Sequence, residues 1–172
     1  MAKKKKISAK TKIKLPDKLI VCLWAAAKHG KSSTLKHLAE LLIPNPAAKN
    51  VTWYLYHPKN RKITRMPKNI STWKKDICVT VPVRRKKLIG INSIGDTPRD
   101  VKKHLTILAN DNCDKIFCAV RTMGETVTEV VNIAKAHNYK IIWIHTYTPD
   151  FYSHQLRNTV NAMQAKHLKD FI

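Results

Sequence analysis

Residues 18–46 read KLIVCLWAAAKHGKSSTLKHLAELLIPNP. Leu19 to Trp24 is continuously apolar, with the length and content of a strand buried on both faces of a parallel sheet. A short loop containing Gly30 follows. From Ser32 the apolar spacing changes to helix period, with Leu35, Leu38, Leu41 and Leu42 on one face, until Pro44 and Pro46 stop it.

A loop between such a strand and such a helix has a chemical use. If it curls, successive backbone N–H groups point at one anion, and the positive end of the helix adds its field. Ala25 to Ser32, AAAKHGKS, fits the pattern G-x-x-x-x-G-K-[ST] with alanine in the first position. Gly30 permits backbone angles that a side chain opposes. Lys31 is expected to reach the β- and γ-phosphates and the Ser32 hydroxyl to ligate Mg²⁺. The segment resembles the phosphate loop of the P-loop NTPase superfamily, whose members tolerate alanine for the first glycine. The resemblance covers residues 18–43 firmly; beyond them only the order of strands and helices continues it. It implies ATP or GTP with Mg²⁺ as ligands. It also implies that Ala26, Ala27, Lys28, His29, Gly30, Lys31, Ser32 and Ser33 surround the phosphates, with Lys31 catalytic.

Such a site needs a carboxylate at the end of another strand to help hold the metal. Asp96, after LIGINSIG, is the candidate for that metal and catalytic role; the alternative is a helix N-terminal residue without a ligand. Gly95-Asp96-Thr97-Pro98 also resembles the D-T-P-G switch of GTPases. Arg99 replaces its glycine, however, and the guanine-reading N-K-x-D is missing after the next strand, which ends Ala119-Val120-Arg121-Thr122. An ATPase therefore fits better than a GTPase. Arg121 stands where open α/β sheets bind ligands, either clamping a phosphate or pairing locally with Glu125. Thr146-Tyr147-Thr148, ending the last strand, is a place for base or ribose contacts. His29 is a phosphate neighbour; His104 and His154 read as histidines on surface helices.

Further strands are expected at Val51–Tyr56, Asp76–Val83, Leu88–Ser93, Lys115–Val120 and Lys140–Thr146. The second and third of these form an antiparallel hairpin. Helices are expected at Pro98–Ala109, Glu125–His137 and Phe151–Phe171. The pattern is an α/β domain over residues 17–172, with a mainly parallel sheet of five to six strands, preceded by a basic tail at residues 1–16.

At 172 residues the chain suits one core. Its net charge is +22. Residues 1–18 contribute seven of those charges and residues 59–87 ten. A domain this basic repels itself unless it meets a polyanion. Trp73 among the cations, and Trp53, Tyr54 and Tyr56 nearby, suit stacking on bases, so nucleic acid is the leading partner. An anionic membrane surface, an acidic protein partner and a homo-oligomer are the alternatives. No transmembrane or signal-type segment is visible, which fits a cytoplasmic, nucleoid or nuclear protein. Cys22, Cys78, Cys113 and Cys118 form no C-x-x-C pair and read as small buried hydrophobes. The leading function is an NTPase working with nucleic acid or a nucleoprotein. A nucleotide or small-molecule kinase and a non-hydrolysing phosphate-binding module are the alternatives.

Overall fold

β1 (Leu19–Trp24) is buried from Leu19 to Leu23 because it has parallel neighbours on both sides and helices on both faces. A computed structural model of the chain describes residues 15–43, 52–53, 70–71, 73–83, 87–122, 124–146 and 153–172. After β1 come α1 (Lys31–Leu42), β2 (Thr52–Trp53), β3 (Cys78–Pro82), β4 (Leu88–Asn92) and α2 (Pro98–Asn110). Then follow β5 (Lys115–Val120), α3 (Glu125–Ala136), β6 (Lys140–His145) and α4 (His154–Leu168), closed by a 3₁₀ turn at Lys169–Phe171. The α/β architecture is the one expected. The sheet has six strands in the order β2-β3-β4-β5-β1-β6. β4, β5, β1 and β6 run parallel, and β3 is reversed against both β4 and β2.

Alternation along the strands divides the core. Leu19, Val21 and Leu23 of β1 and Phe117 and Ala119 of β5 pack with Leu35 and Leu38 of α1 and Leu168 of α4. Ile20, Cys22, Ile116, Cys118 and Val120 face the other way, against Leu105 and Leu108 of α2 and Val130 and Ile133 of α3. This period of two is what a strand covered on both faces requires. Leu41, assigned by spacing to the inner face of α1, is 38% exposed because α1 ends there, beyond the sheet it covers. The four thiols are free and buried, as expected. Cys22 and Cys118 are register partners on adjacent strands, their sulfurs 3.6 Å apart. Burial pushes the Cys113 thiol up to about 12.

The strand order sets the geometry of the ligand edge. β5 lies between β1 and β4, so the loop after β1 and the chain leaving β4 stand about 10 Å apart, two strand spacings. Arg121, at the end of β5, falls between them. Among the described residues no helix is long and apolar enough to cross a membrane. The basic tail through residue 14, most of the expected strand at 51–56 and much of the cationic stretch at 59–87 lie outside the described residues.

Candidate functional site

The chain leaving β1 does not run straight into α1. Lys28 has φ 65° and Gly30 φ 82°, so two left-handed residues curl the loop before the helix begins. For Lys28 that conformation costs about 1 kcal/mol, which surrounding structure must offset. Gly30 is the N-cap, no side chain caps the helix, and its first turn holds no acid. The Lys31 side chain folds back into the curl. Its ammonium donates to the Ala25 and Ala26 carbonyls, each at 2.7 Å, and the residue is only 9% exposed. Burial holds the Lys31 pKa below its ordinary 10.5, Asp96 opposes that shift and Arg121 adds to it.

Facing this loop are the ends of β4 and β5. The Ser32 hydroxyl donates to the Ser93 carbonyl at 3.1 Å. The Ser93 hydroxyl in turn donates to Asp76 Oδ1 at 2.9 Å and accepts from the Ile77 N–H at 2.8 Å. Asp76 therefore sits one residue's relay away from Ser32, a link that no sequence spacing announces. Beyond Ser93, a Cβ on Gly95 would stand 2.0 Å from the Ala119 carbonyl oxygen, so the exit from β4 lies flush against β5. That contact brings Asp96 beside Arg121, whose Nε and Nη2 donate to Asp96 Oδ1 at 3.3 and 3.2 Å. Arg121 pairs across strands with Asp96. The two side chains are 48% and 73% exposed, so the pair adds little to stability and leaves both groups open to a ligand.

The loop from Ala27 to Ser33, Asp96 and Arg121 line one cavity of about 630 Å³. The structure thus gathers the expected phosphate-site residues except Ala26, whose carbonyl instead holds Lys31. Four lining residues come from α4: His154, Arg157, Asn158 and Asn161. Ser71 and Ser93 complete the polar lining, and none of these six was marked by motif or spacing. The lining holds four cations, Lys28, Lys31, Arg121 and Arg157, against one carboxylate, Asp96.

Thr146 lies elsewhere. It lines a separate cavity of about 150 Å³ with Leu23, Ile144 and Phe171, because α4 crosses over α1 and returns its C-terminal end to β6. Tyr147 and Thr148 are outside the described residues. His104, read as a surface residue, is 2% exposed, its Nδ1 2.7 Å from the Asp100 carbonyl. His154 is exposed at the cavity rim, as a surface-helix residue should be.

Among the described residues no cluster of three or more His, Cys, Asp or Glu could cage a metal. The donors available near the loop are the Ser32 hydroxyl and the Asp96 carboxylate. That set suits a magnesium ion delivered with phosphate, which keeps water and phosphate oxygens in most of its positions.

Comparison with protein-family models, curated proteins and solved structures yields no match.

Proposed function

We propose that this chain binds a nucleoside triphosphate with Mg²⁺ on the 25–32 loop and hydrolyses it, in partnership with nucleic acid or a nucleoprotein. One observation carries the reading. Lys31 is buried against its own loop at an uncapped helix end, in a cavity with four cations and one carboxylate. An anion of several charges is the ligand that such a lining favours.

The chemistry follows from the side chains. Phosphate oxygens replace the Ala25 and Ala26 carbonyls as partners of Lys31, exchanging neutral acceptors for charged ones, roughly doubling the strength of each bond. The first-turn N–H groups of α1 and the helix field take the inner phosphoryl group. Ser32, released from the Ser93 carbonyl, would help hold Mg²⁺, which would supply charge neutralisation for the phosphate chain. Arg121 exchanges Asp96 for phosphate, and the freed carboxylate is available to hold the metal or to orient water. ATP is favoured over GTP because the guanine-reading pattern is missing from the sequence.

Calorimetric titration with ATP, GTP and Mg²⁺ tests the reading. Lys31→Ala is expected to weaken triphosphate binding by about ten- to a hundredfold, the loss of a charged hydrogen-bonding group. Equal affinity in the two proteins would dismiss the site. Turnover is expected to rise on adding DNA or RNA, and log K for nucleic acid to fall steeply with log salt. A flat salt dependence removes the polyanion partner.

A further inference from the structure

α4 departs from a simple surface helix at two kinds of position. Leu156 and Met163 are 45% and 54% exposed, whereas Asn161 is buried and Arg157 half-buried. His154, Arg157, Asn158 and Asn161 follow the i, i+3, i+4, i+7 spacing of one helix face, and all four line the phosphate-loop cavity. Ala165 and Leu168 still anchor the helix in the core, and His154 and Asn158 stay exposed at the rim, so each polar group that α4 offers to the cavity needs its own explanation. Hydrogen bonding to α1 accounts for two of them. His37 Nε2 and Asn158 Oδ1 are 2.8 Å apart, and the Thr34 hydroxyl lies 3.4 Å from Asn161 Oδ1 and 3.2 Å from Gln164 Oε1. It does not account for Arg157. No carboxylate among the described residues pairs with its guanidinium.

On the reading that the cavity takes a phosphate chain, we infer that Arg157 is a second phosphate-binding arginine of the site, supplied by α4 from the same chain. Arg121 and Arg157 then approach the ligand from two sides. Arg121 comes from the strand ends, and Arg157 from a helix pinned to α1, the helix that the loop itself begins. Because α4 is bonded to α1 at Thr34 and His37, the arginine is carried on the same support as the loop. A planar guanidinium matches two phosphate oxygens at once, which a lysine does not.

The probe is inorganic tripolyphosphate, titrated calorimetrically into the full chain, so that no base or sugar contact enters. Arg157→Ala is expected to weaken binding about tenfold or more. Arg157→Lys should fall between it and the wild type. Lys166→Ala removes the same charge from an exposed position nine residues on, half a turn round the helix, and should change affinity by less than about twofold. Thermal melts accompany each variant, and Arg157→Gln replaces the alanine variant if that one does not fold. Arg157→Ala within twofold of wild type, with Lys31→Ala losing the probe, would overturn the inference and leave the phosphate loop standing. Equal losses in Arg157→Ala and Lys166→Ala would overturn it too, as a general charge effect. If Lys31→Ala binds as the wild type does, the phosphate-loop reading itself fails and this one with it.

Discussion

The turn from β4 into α2 spends the chain's own polar groups on the helix end. The Asp100 N–H donates to the Thr97 hydroxyl at 3.2 Å, that hydroxyl donates to Asp100 Oδ2 at 2.8 Å, and Pro98 occupies the first turn. The turn from β1 into α1 does none of this. Gly30 caps without a side chain, no acid follows, and the first helical residue is a buried lysine turned towards carbonyls. Both helices carry about half a positive charge at this end. In α2 the protein neutralises it internally; in α1 it places more positive charge beside it. A helix end left so is not stabilising in itself, and on the proposed function it receives an anion from outside. The packing differs likewise. In the β4 exit Gly95 has no room for a methyl group against the Ala119 carbonyl, while the β1 exit curls round the cavity of about 630 Å³ that Ser93 and Asp96 also line.

Giving α1 what α2 already has should produce the largest effect. Gly30→Asp puts a carboxylate at a left-handed position that aspartate tolerates, so folding should survive. Triphosphate affinity should drop about a hundredfold, since like charges in one site cost several kcal/mol. Calorimetric titration checks it; unchanged affinity would mean that the helix end is not where the anion sits.

Opening the closed turn comes next. Gly95→Ala forces its methyl against the Ala119 carbonyl, and neither backbone can yield cheaply. The expected cost is about 3 kcal/mol, or roughly 6–12 °C in Tm for a chain of this size, read by calorimetry. A shift below about 2 °C would show that the β4 exit is as loose as the β1 exit.

A smaller effect belongs to pH. Burial lowers the Lys31 pKa in the free folded chain, so between that value and 10.5 the unfolded chain holds more protons and stability rises with pH. Bound phosphate favours the charged amine and raises its pKa. Binding should therefore take up protons, and affinity should fall as pH climbs through the lowered value, by at most about tenfold per pH unit. Titrations in two buffers of different ionisation enthalpy detect the uptake. Lys31→Arg should abolish it; uptake that persists in that variant belongs to another group.

The difference between the two turns was only half legible in the sequence. The loop between β1 and α1 could be read from Ala25–Ser32 because an apolar run gives way there, through Gly30, to helix spacing along a continuous piece of chain. The limits of β1 and β5 were equally plain, as uninterrupted apolar runs have one physical use at that length. Arg121 was harder. Its local partner by spacing is Glu125, and only the order β4-β5-β1 brings Asp96 next to it instead. Asp76 reaches the site through Ser93, seventeen residues away in the chain, a relay set by the β3–β4 register. The contribution of α4 was hidden by the pattern itself. Periodicity points leucines inward, and here Leu156 and Met163 face solvent while an arginine and two asparagines face the cavity and α1.

The decisive property is where an anion touches the backbone. Amide chemical shifts of the ¹⁵N-labelled chain, followed during titration with inorganic pyrophosphate, report it residue by residue. The expected result is that the largest saturable shifts fall on the Lys28–Ser33 amides and far exceed those at Thr97–Asp100. Shifts of equal size at both helix ends, or none between Lys28 and Ser33, would contradict it.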